Sequence, residues 1–259
     1  MPEGDTIFRS ATVLRRALAG RPVVAFDVPR LRPESFAEGT IVVSVEARGK
    51  HLLVGFSDGR VLHTHLQMSG SWHVYAPNQR WQRPSHQARA ILGVPEALAV
   101  CFNAPVVELL RQHDLPRHPR LAALGPDLCS PDADLAEVVR RLERLPGDTP
   151  VGVALLDQRV ACGIGNVYKS EVLFARSVDP FAPVGSLEAE VRSEIYAAAG
   201  RMLRANLDGG PRVTAPSGLA IYGKTGRPCP RCGTPIGSRR QGETARTTYW
   251  CPSCQRRAA

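Results

Sequence analysis

The sequence predicts an α+β protein of more than one domain: a β-rich N-terminal half, a helical second half and a short cysteine module at the end. Three observations carry this. Seven short runs rich in Val, Leu and Ile (VVAFDV, IVVSVEA, HLLVGF, RVLHTHL, SWHVYA, ARAILGV, ALAVCFN) lie between Gly20 and Ala104, separated by Gly, Pro and Asp-Gly turns. Helical spacing of apolar residues dominates 151–207. Two C-x2-C pairs occupy the last 31 residues. A chain of 259 residues suits two domains, or one plus a small module, and 43% hydrophobic content is ordinary for a packed core.

Along the chain, a first helix is expected over about 6–19, with Asp5 as its cap and Ile7, Phe8, Ala11, Leu14 and Leu18 at helical spacing. The seven runs then read as a β-sandwich or barrel to about residue 104. PVVELLRQH, which follows, reads as a short helix. Turn signals GPD, SPD and PGDTP between 120 and 150 flank an amphipathic helix at 133–145 and mark a hinge. Residues 208–228 are rich in Gly and Pro without apolar periodicity and read as a loop.

Charge is unevenly distributed. Residues 201–259 hold eleven bases against two acids, whereas residues 1–200 are balanced, so the whole net charge of +9 sits in the last quarter. Clustered arginine attracts phosphates and gains from counterion release, which points to a polyanionic partner. Of the basic residues only Lys50, Lys169 and Lys224 are lysine. No apolar run reaches the length of a membrane span, and the acidic start carries no signal-peptide core, so a cytosolic location is expected.

Cys229-Pro-Arg-Cys232 and Cys251-Pro-Ser-Cys254, separated by 18 residues, have the spacing of a four-thiolate zinc ribbon. Disulfides or a redox pair are the competing readings, and the cytosol disfavours disulfides. With four ligands supplied, such a zinc is structural. Cys101, Cys129 and Cys162 are isolated and read as buried apolar fillers. His63 and His65 share one strand face, and core or surface histidines are expected there rather than metal ligands.

In ALLDQRVACGIGNVYKSEVLF, Gly163 and Gly165 permit tight turns and Asn166 stands where an N-cap belongs. The unpaired N–H groups of the following helix suit a phosphate, with Lys169 one turn further on. At the other end of the chain, Pro2 followed by Glu3 offers a secondary amine beside a carboxyl group if Met1 is lost, or nothing more than a loose terminus.

MPEG, RGKHLL, LLDQRVACGIGNVYKSE and the four-cysteine ribbon occur in this order. Together they resemble the formamidopyrimidine-DNA glycosylase/endonuclease VIII family of bacterial DNA-repair enzymes. MPEGDT, HLQMSGSW and TTYWCPSCQ lean toward an actinobacterial endonuclease VIII type. The resemblance implies an N-terminal β-sandwich with flanking helices (1–122), a hinge (123–150), a helix–two-turn–helix domain (151–223) and a zinc ribbon (224–259). It implies a monomeric, nucleoid-associated enzyme that excises oxidised bases from damaged DNA, pyrimidines favoured, and cleaves the abasic strand.

It also implies residue roles. Pro2 is the nucleophile at C1′, Glu3 the proton carrier, and Lys50 a group near the catalytic phosphate. Asn166 and Arg246 are phosphate clamps. Gln67, Met68 and Ser69 form the loop that fills the gap left by the flipped nucleotide, with Met68 as the wedge. Cys229, Cys232, Cys251 and Cys254 hold one Zn²⁺. Three departures are visible: Thr6 stands where several relatives carry an acid, no Arg-x-Phe pair occurs near 102–112, and Ser69 replaces a larger plug.

Overall fold

The computed structural model describes residues 2–29, 31 and 36–256. They form two compact units, divided between Ala122 and Ala123.

The first unit is an antiparallel β-sandwich with one helix. Helix α1 (Gly4–Leu18) buries Ile7, Ala11, Leu14 and Leu18 on one stripe, and Arg15 and Arg16 in its last turn complement the helix dipole. Strands β1 (Ala25–Asp27), β2 (Val42–Arg48), β3 (His51–Phe56), β4 (Arg60–His65), β5 (Ser71–Tyr75), β6 (Ala88–Val94) and β7 (Ala97–Phe102) match the seven expected runs. One sheet has the order β1-β6-β7-β5, and the other has β2, β3, β4 and an eighth strand, β8 (Val106–Arg111), side by side in that order. Leu52, Val54 and Leu62 of one sheet share a single core with Leu92, Ala99 and Cys101 of the other and with the buried stripe of α1.

Strand β8 (Val106–Arg111) corrects the helix expected at PVVELLRQH. The paired apolar residues Val106-Val107 and Leu109-Leu110 satisfy helical spacing. In the structure they instead extend beside β4, with Glu108 opposite His63. Every residue from 106 to 110 is half-buried, so neither face is polar and the period-two signal is lost. Two valines and the open edge of β4 decide in favour of a strand.

The second unit holds α2 (Leu135–Leu142), the short α3 (Val151–Ala154), α4 (Asn166–Ala175), α5 (Ala189–Arg204) and the hairpin of β9 (Gly237–Gln241) and β10 (Arg246–Trp250). Helix α4 is buried from Asn166 to Phe174 and packs on α3, α5 and β10. Residues 208–228 contain no helix or strand, as expected. Their shape is set by the buried carboxylate of Glu171, which accepts from the amides of Ala220 (2.7 Å), Ile221 (2.9 Å) and Tyr222 (2.8 Å) and from the Thr214 hydroxyl. Phe174, Ala220 and Ile221 then share a small core with Cys229, Ile236 and Cys251. Among the described residues, no helix is long and apolar enough to cross a membrane.

Candidate active site

In the first unit, Glu3 rather than Asp5 takes the N-cap position of α1. Its backbone is extended (φ −123°, ψ −175°), its carbonyl accepts from the amides of Thr6 and Ile7, and its side chain makes no capping bond. Glu3 is fully buried, so its carboxyl group is held at the helix start for some purpose other than capping. Asp5 is also fully buried, inside the first turn; Thr6 Oγ1 donates to it at 3.3 Å and Arg9 Nη2 lies 3.5 Å away. Pro2 is half-buried beside them, and Met1 lies outside the described residues.

Lys50 sits in the two-residue turn between β2 and β3, where Arg48 pairs with His51. Gly49 takes φ 58° there, as the first position of a type II′ hairpin turn requires. The Lys50 charge reaches His65, whose pKa is pushed to about 4 by burial first and by Lys50 second. His51, next in the chain, is lowered to about 3 by burial and then by His65 and His63. Both rings are therefore neutral near pH 7.

Gln67, Met68 and Ser69 form an exposed turn between β4 and β5. Gln67 adopts a left-handed φ of 48°, and the Gly70 amide closes the turn on the Leu66 carbonyl at 2.9 Å. A Cβ on Gly70 would stand 2.6 Å from that carbonyl oxygen, so this turn requires glycine. Met68 is 63% exposed, and Ser69 Oγ donates to the Asn103 carbonyl.

In the second unit, Gly165 is the N-cap of α4 and Asn166 its first residue, which corrects the cap expected at Asn166. Freed from capping, the Asn166 amide donates from Nδ2 to the Thr247 carbonyl at 2.7 Å, while its Oδ1 is buried without a hydrogen-bond partner. Arg246 precedes Thr247 and is exposed, so the two expected clamps lie on one ridge. Lys169, expected one turn along the helix as a phosphate contact, does not reach the surface. It is fully buried, and Nζ donates to Thr248 Oγ1 at 2.7 Å. Thr248 Oγ1 in turn donates to Gln241 Oε1 at 2.7 Å, and Gln241 Nε2 donates to the Pro180 carbonyl at 2.8 Å. Sequence reasoning overlooked Glu171, Gln241 and Thr248. An acid inside a mostly apolar helix was the available signal for Glu171; nothing marked the other two.

The sulfurs of Cys229, Cys232, Cys251 and Cys254 lie within 4.8 Å of one another. Sγ–Sγ separations of 3.4 Å (Cys232–Cys254), 3.5 Å (Cys232–Cys251) and 3.9 Å (Cys229–Cys254) bracket the roughly 3.8 Å edge of a tetrahedron built on Zn–S bonds of about 2.3 Å. Hydrogen bonding with Thr234 holds the Cys232 thiol down to about 6, and bonding with Cys232 pushes Cys254 up to about 12. Without a cation this cluster favours one thiolate among thiols; four thiolates together need a dication.

Comparison with known proteins agrees with this arrangement. Residues 1–105 match the formamidopyrimidine-DNA glycosylase N-terminal domain, and residues 124–216 match the formamidopyrimidine-DNA glycosylase H2TH domain. The chain is 44% identical over 265 residues to a probable endonuclease 8 2 of Streptomyces coelicolor, covering 98% of this chain and 94% of that protein. It is 38% identical over 263 residues to the DNA-(apurinic or apyrimidinic site) lyase Nei2 of Mycolicibacterium smegmatis, covering 98% and 99%. The crystal structure of the MutM (Fpg) protein of Thermus thermophilus superposes with a TM-score of 0.81 at 29% identity, covering all of both chains. With both domain models matched in order and relatives of such identity aligned nearly end to end, the chain belongs to the formamidopyrimidine-DNA glycosylase family.

Proposed function

We propose that this protein is a bifunctional DNA glycosylase and AP lyase of base excision repair, acting on oxidised bases with pyrimidines favoured. The observation that carries the reading is full-length similarity to endonuclease 8 and AP lyase relatives, joined to a buried Glu3 beside Pro2 at the start of α1.

With Met1 removed, the Pro2 amine has a reference pKa near 8, so a fraction is free base at neutral pH. Its nitrogen attacks C1′ as the C1′–base bond breaks, and the departing base takes a proton. The product is an iminium between Pro2 and the opened sugar. Loss of a C2′ proton expels the 3′ phosphate, and a second elimination expels the 5′ phosphate. Glu3 carries protons to and from the sugar, and Lys50 stands at the phosphate. Asn166 and Arg246 hold the phosphates around a nucleotide turned out of the stack, while Met68 and Gln67 enter the vacated space. Lys169 acts from within, by fixing Thr248 behind that ridge. The four cysteines hold one structural Zn²⁺, which cross-links the two knuckles and supplies no chemistry to the reaction. The substrate is damaged DNA, the enzyme works as a monomer, and its place is the bacterial cytoplasm at the nucleoid.

The test is borohydride trapping on an abasic-site oligonucleotide, with Pro2→Gly and Glu3→Gln alongside and the N-terminal mass measured. A covalent adduct mapping to Pro2 is expected in the wild type and absent in Pro2→Gly. No adduct from zinc-loaded protein beginning at Pro2 overturns the lyase mechanism and leaves a nucleic-acid-binding protein. The name of the Mycolicibacterium relative favours a second reading, an AP lyase without base excision. A thymine-glycol strand separates the two: excision supports the bifunctional enzyme, and trapping only on the abasic strand supports the lyase.

A further inference from the structure

The β4–β8 ladder brings together three side chains that the proposed repair chemistry does not use. His63 on β4 faces Glu108 on β8, with Nδ1 2.7 Å from Oε2. His118, just beyond the 3-10 turn Gln112–Arg117, places Nε2 3.2 Å from the same oxygen. One ligand atom from each of the three residues lies within 4.8 Å of those of the other two. From this geometry we propose a second metal site, in which His63 Nδ1, Glu108 Oε2 and His118 Nε2 bind a divalent transition ion of the zinc class.

The donor set selects the ion. Two imidazoles and one carboxylate suit Zn²⁺ and its neighbours, whereas Ca²⁺ and Mg²⁺ require mostly oxygen. Bonds of about 2.0–2.1 Å to a tetrahedral ion separate ligand atoms by roughly 3.3 Å, so Glu108 must draw back from His63 by about 0.6 Å and from His118 by only about 0.1 Å.

His63 has the surroundings of a ligand histidine, whereas His118 Nδ1 accepts from the Leu121 amide at 3.2 Å, a bond that must open as the ring proton moves to Nδ1 and Nε2 takes the ion. The second ring nitrogen of His63, Nε2, is hydrogen-bonded to His51 Nδ1 at 2.8 Å, which fixes the orientation of a fully buried ring. His51 stacks on His63 with centroids 5.0 Å apart, and His118 meets it edge-on at 5.4 Å. Depth increases from Glu108 (41% exposed) through His118 (12%) to His63 (0%), so an ion enters from solvent and keeps one open position on that side. Arg120 adds a positive charge whose field reaches His63. With Glu108 as the only anionic ligand, the open position then favours hydroxide or another anion. The ion would pin the end of β8 and the following turn to β4, and through His51 it would be one residue from Lys50.

The full-length protein is equilibrated with Zn²⁺ buffered at micromolar free concentration, passed through a desalting column and assayed for zinc per chain. Two equivalents are expected for the wild type and one for Glu108→Gln and His118→Gln, each checked for folding by circular dichroism. His63→Ala removes the most buried ligand, and the two more exposed variants carry the test if it does not fold. Co²⁺ substitution keeps the sites apart: the thiolate site gives intense charge-transfer bands, and the second equivalent adds only weak ligand-field bands lost in His118→Gln. One equivalent in the wild type with the thiolate bands intact overturns the proposal. So does a second equivalent that survives in both variants.

Discussion

Asn166 Nδ2 and the main-chain carbonyl of Thr247 are joined by a 2.7 Å hydrogen bond across 81 residues of sequence. The bond fastens the first turn of α4 to the strand that begins at Arg246. It leaves Oδ1 buried with nothing to accept from, so this amide is held in place by one edge only. Asn166→Ala is expected to weaken binding to an abasic-site duplex about tenfold, or ~1.4 kcal/mol, with the fold retained. Arg246→Ala should weaken binding similarly and lower the slope of log K against log salt by about 1. Titration by fluorescence anisotropy at several salt concentrations separates the two: an unchanged slope in Arg246→Ala would remove it from the phosphate contacts.

Thr248 tests the buried relay. Thr248→Val keeps the shape of the side chain but takes an acceptor from Lys169 and a donor from Gln241. A loss of about 2–4 kcal/mol is expected, because a buried ammonium loses a partner. Denaturant unfolding measures it. Thr248→Ser restores the hydroxyl and should recover most of the loss.

Met68 is exposed on its turn, so Met68→Ala should change stability by no more than about 0.5 kcal/mol. If it fills the space of a turned-out nucleotide, turnover on a lesion in duplex DNA falls several-fold and turnover on the same lesion in a single strand does not. Equal loss on both substrates would assign Met68 another task.

Chelation tests the ribbon. Replacing Cys251 by Ser is expected to unfold residues 228–255 and abolish duplex binding, with loss of one zinc per chain by mass spectrometry, and chelation should unfold the same residues. The sandwich should survive, because its core contains none of these residues. A single cooperative unfolding of the whole chain on chelation would contradict this.

Asp157 gives the pH dependence. Hydrogen bonds from Arg159, whose Nη2 lies 2.6 Å away, hold its carboxyl below the usual carboxylate range despite partial burial. A depressed carboxylate stabilises the fold above its unfolded pKa, near 4, and that contribution fades as pH falls through the lower folded value. Asp157→Asn should therefore lose up to about 1 kcal/mol at pH 7, and the deficit should shrink as pH falls below about 4. Thermal unfolding across that range measures it.

Seven of the eight described sandwich strands were legible because each runs between turn residues and is rich in β-branched or apolar side chains, most of them on a buried or half-buried face. β8 was not, because its half-buried flanks erase alternation and its identity as a strand depends on the edge of β4, which no local window contains. That omission had a cost for the site. Without β8 there is no register to set Glu108 against His63, and the histidines of β4 read as ordinary packing. Spacing alone revealed the cysteine knuckles, since each pair is local. The partners of Lys169 were hidden for the opposite reason: Thr248 lies 79 residues away, and only packing of α4 on the hairpin brings it near.

The β9–β10 hairpin is held at both ends of its length. Its base runs into the cysteine cluster through Ile236 and Cys251, and its far part is gripped by Asn166, Lys169 and Pro180. Residues 242–245 turn the hairpin beyond the second grip and all four are exposed, with Gly242 close to Val153. Below these four, Gln241 pairs with Arg246 and is itself fixed to the Pro180 carbonyl. This turn is therefore the natural port for inserting a fluorophore or an affinity peptide: residues added there leave Arg246 where the ridge sets it, and report on its surroundings without disturbing them.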